Sequence, residues 1–164
     1  MKKTFFAIVL ILALMLSSSC HGSENPSSDV KNVQESINER YNDLNNNQSL
    51  SLVDKGNGIT SLAKEWDGIA EQNYRILKKA FQTNDIQWNV WNEISGGAII
   101  TLSDYWEARK NSDQSEIKLM ESLITYKYQD GSIGGVEMAR FKYQISKQKA
   151  LDFESMVKYM TDSQ

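Results

Sequence analysis

A single cysteine, a single histidine and a single proline occur in 164 residues. One cysteine cannot close a disulfide within the chain, so stability has to come from a packed core. The one histidine, His21, stands in a short polar stretch beside the one cysteine, Cys20. Histidine-based zinc sites and Ser-His or Cys-His nucleophilic machinery are therefore excluded, and neither a metal nor a cofactor is expected. Positive charge is not concentrated anywhere: 18 Lys and Arg face 21 Asp and Glu, for a formal charge of −3. No basic patch suited to a phosphate backbone is present, so nucleic acid is not an expected partner. No stretch of strand length keeps up an alternation of apolar and polar residues. The only long apolar run, residues 5–16, falls short of the roughly 20 residues a membrane-spanning helix needs.

That run is informative for what surrounds it. Met1-Lys2-Lys3 precedes it, and Ser17-Ser18-Ser19 and then Cys20 follow. A positive start, an apolar stretch and a small-residue cleavage site make an export signal. A cysteine directly after such a site looks like the acceptor of bacterial lipoprotein processing. The thiol of Cys20 would take a diacylglyceryl thioether, and cleavage after Ser19 would leave an amine for a further acyl chain. One chain holds a protein only marginally, whereas two or more anchor it, at about 0.8 kcal/mol per buried methylene. Ser17 departs from the pattern, since bacterial lipoboxes usually carry leucine there. An ordinary secretory signal with an incidental cysteine is the alternative. Residues 1–19 are thus read as a lipoprotein signal peptide and residues 20–28 as an acylated flexible tether. Loss of Lys2 and Lys3 with the signal takes the formal charge from −3 to −5. His21, not aspartate, follows the cysteine, which favours the outer membrane in a two-membrane organism.

Residues 29–164 are expected to form one helical domain. Roughly 145 mature residues are enough to bury about 70% of their unfolded surface. Val30, Val33, Ile37, Tyr41 and Leu44 recur at helical spacing after Ser28, a suitable N-cap. Residues 45–58 read as a loop ending in Lys-Gly-Asn-Gly. A second helix is expected over residues 59–81, with Ile59, Leu62, Trp66, Ile69, Ile76, Leu77 and Ala80 inward. A third is expected over residues 86–108, carrying Trp88, Trp91, Ile94, Ile99, Leu102, Tyr105 and Trp106. A fourth covers residues 113–128, with Ile117, Met120, Leu123 and Ile124 inward. A last one starts near Gly135 and carries Val136, Met138, Phe141, Ile145, Phe153, Met156 and Met160. The fold class is all-α, about five helices in a small antiparallel bundle.

Carboxylates are the remaining catalytic candidates. Glu93, in Asn-Glu-Ile-Ser-Gly-Gly, echoes the Glu-Ser-Gly signature of lytic transglycosylases, which need acidic residues at a glycosidic bond. Ile94 interrupts the signature and no Gly-Leu-Met-Gln partner follows, so no catalytic residue is assigned. Trp88 and Trp91 fit two readings: helix core, or an interaction surface, where such side chains are enriched.

Residues 130–154, DGSIGGVEMARFKYQISKQKALDFE, resemble the closing segment of the LprI-type lysozyme-inhibitor family, small exported helical proteins. Gly131, Ser132 and Ile133 match its turn, and Ala139 matches the alanine before a family cysteine. Ile145, Ser146 and Gln148 match Leu-Thr and Gln, Lys149 stands for an arginine, and Phe153-Glu154 for the final Leu-Glu. Within residues 60–96 the likeness is weaker. Trp88, Trp91, Glu93 and Gly96 fall at the offsets of the family's Trp, Tyr, Asp and Cys. Both family cysteines are absent, replaced by Gly96 and Phe141. The resemblance implies that these two residues stand where a bridge would, with the large side chain filling the space beside the small one.

The family is named for lysozyme inhibition, so the resemblance implies a membrane-anchored envelope lipoprotein, not an enzyme, that binds lysozyme-type muramidases. An anchored acidic domain would be steered to a basic cleft by charge and held there by a few aromatic anchors. Trp88, Trp91 and Glu93 are the candidate partner-binding residues. The alternative is a structural or adaptor lipoprotein that binds another envelope protein and inhibits nothing.

Overall fold

The computed structural model describes residues 26–84, 101–129 and 131–162. Among them are four helices and no strand: α1 (Pro26–Asn46), α2 (Leu52–Asn84), α3 (Leu102–Tyr128) and α4 (Ser132–Asp162). The class is all-α as expected, with four described helices in place of about five. The chain divides into two compact units, Met1–Glu35 and Ser36–Gln164. Of the first, residues 26–35 are described and form the opening turns of α1. The architecture below is that of the second.

Several boundaries differ from those the sequence predicts, for local reasons. α1 opens at Pro26, inside the expected tether, because proline at a first helical position gives up no needed N–H. α2 begins at Leu52, in the expected loop. Ser51 caps it: its hydroxyl accepts the Asp54 N–H at 3.1 Å and donates to the Asp54 carboxylate at 2.6 Å. Gly56 and Gly58, read as loop residues, are helical and serve close approach. A Cβ on Gly58 would lie 2.8 Å from Leu44 Cδ1 of α1, and one on Gly56 would lie 3.7 Å from the Gly135 carbonyl oxygen of α4. Residues 86–100 of the expected helix 86–108 lie outside the described residues, while its end and the expected helix 113–128 belong to one continuous helix. Thr101 is an N-cap in extended backbone, with a full capping box to Asp104, so a helix starts at Leu102. It then runs through residues 109–113 unbroken. Asp113 does not begin a helix but pairs with Arg109 one turn earlier at 3.0 Å. α3 ends at Gln129, a left-handed C-cap with φ 49°.

α2 and α4 form the central pair, and a seven-residue repeat runs along each. On α2 it comprises Gly56, Ala63, Ala70 and Leu77 with Ile59, Trp66 and Asn73; on α4, Val136, Tyr143 and Ala150 with Ala139, Ser146 and Phe153. All of these except Gly56 are buried. Knob-and-hole packing at this spacing brings helices close, and the alanines and glycines bring them closer still. Gly56 lies by Gly135 and Val136, and Asn73 Nδ2 donates to the Ala150 carbonyl at 3.4 Å, so the two helices run parallel. α1 runs antiparallel to both. Leu44 sits on Gly58, Arg40 pairs with Glu65, and Asn38 and Asn45 accept from Tyr143 and Arg140. α3 is antiparallel to α4, with Arg109 on Asp152 at one end and Ile124 on Gly134 at the other. Helices adjacent in sequence are thus antiparallel, while the most intimate pair is parallel.

Trp66, Tyr143 and Phe153 are the largest fully buried side chains. Burial of each such side chain stabilises the fold by about 1.5–3 kcal/mol. Two inward assignments are corrected: Ile76 and Leu123 are exposed, because each falls off the buried face of its helix. Phe141 is half-buried on α4, outside the seam that meets α2. Gly96, its expected neighbour, lies outside the described residues.

Candidate functional site

The polar feature that joins most elements is an ion network across α2, α3 and α4. Lys149 of α4 places its ammonium 3.0 Å from Asp67 Oδ1 of α2 and 3.1 Å from Asp113 Oδ2 of α3. Arg109 of α3 donates to Asp113 at 3.0 Å and to Asp152 of α4 at 2.7 Å, and Gln148 completes Asp152 at 2.8 Å. Asp113 and Lys149 are the inner pair, with side chains 7% and 12% exposed. Burial works against the charge on Lys149, but the hydrogen bonding and field of Asp67 and Asp113 outweigh it and hold the ammonium above its ordinary pKa. The Arg109 guanidinium is raised in the same way, burial again being outweighed, here by Asp113 and Asp152. A lysine held protonated is neither a nucleophile nor a base. The network is a structural tie.

A second polar cluster joins α1 to the α2–α4 pair. Tyr143 donates its hydroxyl to Asn38 Oδ1 at 3.0 Å, Lys147 donates to the same oxygen at 2.8 Å, and Tyr143 stacks on Tyr41 with centroids 4.1 Å apart. The Trp66 indole N–H is buried beside the Tyr143 hydroxyl without a well-formed hydrogen bond to it. Burial raises the Tyr143 phenol, and the neighbouring indole only partly offsets this. The phenol stays protonated at neutral pH and is no general base.

The surface offers shape instead of reactive groups. Along the outer face of α3, Leu119, Leu123 and Tyr126 are 64%, 54% and 89% exposed. Spacings of four and three put them on one side of the helix. At the α3–α4 turn an open groove of about 370 Å³ is lined by Glu121, Ile124, Ser132, Gly134 and Met138 among others. Among the described residues no cluster of three or more His, Cys, Asp or Glu is arranged to hold a metal ion. No described helix is long and apolar enough to cross a membrane.

The residues singled out in the sequence, Cys20, Trp88, Trp91 and Glu93, lie outside the described residues. The network and the α3 stripe were missed. The signals for the network were present only in part: Arg109–Asp113 and Gln148–Asp152 are four apart, but nothing local marks Lys149 as inward-facing. Leu119, Leu123 and Tyr126 fall on one helix side, but spacing alone does not say that this side faces water. No protein-family profile, curated protein or solved structure matches the chain.

Proposed function

We propose that the protein is a lipid-anchored lipoprotein of the bacterial envelope that acts by binding another protein, with lysozyme-type muramidases the first partner to test. Anchoring rests on the tripartite N-terminus and Cys20. The binding reading is carried by the outer face of α3, where Leu119, Leu123 and Tyr126 leave apolar surface in water. Apolar side chains gathered on one exposed face are characteristic of contact surfaces. The polar groups support the same view, since the charged side chains at the centre of the fold are engaged with one another. Net charge supplies the steering toward a cationic partner.

The adaptor reading is favoured by the same stripe, which is apolar where a basic cleft would call for carboxylates. Both readings are tested together by cross-linking the anchored protein in intact envelope beside a lysozyme inhibition assay on the purified mature chain. Inhibition supports the muramidase partner. A stoichiometric envelope cross-link lost on Leu123→Glu, without inhibition, supports the adaptor. The absence of both results would leave the protein-binding account without support. Peptidoglycan cleavage abolished by Glu93→Gln would replace it with an enzymatic one.

A further inference from the structure

α3 is fastened differently from its neighbours. It buries Leu102, Asp113 and Ile124 along 27 residues, so only two of its buried side chains are apolar. α2 and α4 bury Ile59, Ala63, Trp66, Ala139, Tyr143 and Phe153 in their shared core. At its N-terminal end α3 rests on aromatic contacts: Trp106 stacks on Tyr74 with centroids 4.5 Å apart and meets Phe153 edge-on at 5.0 Å. Midway, its hold on the rest of the fold is ionic. Beyond that, its outer side chains Leu119, Leu123 and Tyr126 face water.

The network also divides along the helix boundary. Its groups are Asp67 from α2, Arg109 and Asp113 from α3, and Lys149 and Asp152 from α4; Tyr105 lies near Arg109. Separation of α3 breaks two contacts, Lys149 to Asp113 and Arg109 to Asp152. Arg109–Asp113 stays intact within α3, and Lys149–Asp67 stays intact between α4 and α2. Opening therefore strands no lone buried charge, which is what makes most buried ion pairs costly to break. We infer that α3 opens as a cooperative unit of its own while α2 and α4 remain paired, with Lys149–Asp113 and Arg109–Asp152 as the latch. The surface uncovered is the floor on which its aromatics rest, Tyr74, Leu77 and Phe153. Elements that open ahead of the whole fold are drawn from those with thin apolar burial.

Hydrogen–deuterium exchange on the full mature chain tests this. In the wild-type protein, amides of residues 107–127 should exchange at least tenfold faster than those of residues 59–77 and 136–153. Asp113→Asn, nearly isosteric, should accelerate residues 107–127 by a further tenfold or more and change the other two segments by less than twofold. Asp152→Asn, at a more exposed site, should act in the same direction with a smaller effect. Glu107→Gln, which breaks only the surface pair with Lys110, should change nothing. Equal protection of all three helices in the wild type would overturn the inference. So would acceleration of all three by both network variants, or loss of the fold on Asp152→Asn, because the network would then support the whole domain.

Discussion

Two glycines ten positions apart on α2 should respond differently to the same substitution. Gly58 and Gly68 both lie inside the helix, where alanine is favoured over glycine by about 1 kcal/mol. A Cβ on Gly68 meets nothing within 4 Å. Gly68→Ala should therefore deliver the full gain of about 1 kcal/mol, a rise in Tm of about 4 °C at this size. A Cβ on Gly58 would lie 2.8 and 2.9 Å from the two terminal methyls of Leu44. Leu44 has to rotate away from the core it packs against, and overpacking of that kind costs about 1–3 kcal/mol. Gly58→Ala should thus be neutral to about 2 kcal/mol destabilising. In a Leu44→Ala background the clash is gone, and Gly58→Ala should become stabilising by about 1 kcal/mol. Urea denaturation of the four variants measures all of this. Equal gains at both glycines would show that Gly58 does not face Leu44. No effect at Gly58 in either background would return residues 52–58 to the loop that the sequence suggests.

Three further outcomes are expected. Lys149 has a raised pKa in the folded state, so its contribution is fully present below the ordinary lysine value of about 10.4 and is lost as pH rises through the folded value. Urea midpoints between pH 8 and 11.5 should fall more steeply for the wild type than for Lys149→Met. Thr101→Ala removes the hydroxyl hydrogen bond that lowers the Asp104 pKa most but leaves the one from the residue 101 backbone N–H, so that pKa should rise part of the way toward its ordinary value in an NMR titration; loss of the cap should cost about 1 kcal/mol in denaturant. Cys20→Ala should leave the protein uncleaved or move it to a soluble fraction; membrane partitioning and wild-type migration would contradict acylation at this residue.

The apolar periodicity was enough to give the class and much of the core. Ile37, Ile59, Leu62, Trp66, Leu77, Val136 and Phe153 are buried where the spacing puts them. The errors have physical sources. Glycine is read as a loop former, yet Gly56 and Gly58 are in α2 because α1 and α4 pass close to it. Aspartate is a good N-cap, so Asp113 suggests a helix start, whereas its carboxylate meets Arg109 and Lys149. A 3.6-residue period puts Ile76 inward beside Leu77, whereas the seven-residue repeat buries Leu77 and leaves Ile76 exposed. The ion network depends on contacts between residues far apart in sequence, and local pattern does not specify them. Of the candidate site, Cys20, Trp88, Trp91 and Glu93 were chosen from the sequence alone, and the stripe on α3 came only with the exposure of each side chain.

Lysozyme activity titrated with the purified mature chain, at low and at high salt, tests the functional account most directly. Inhibition should reach completion near stoichiometric ratio at low salt and weaken as salt screens the steering between an acidic domain and a basic enzyme. Trp88→Ala with Trp91→Ala should weaken it further. Lysozyme activity unchanged by a large molar excess at low salt would contradict the muramidase partner.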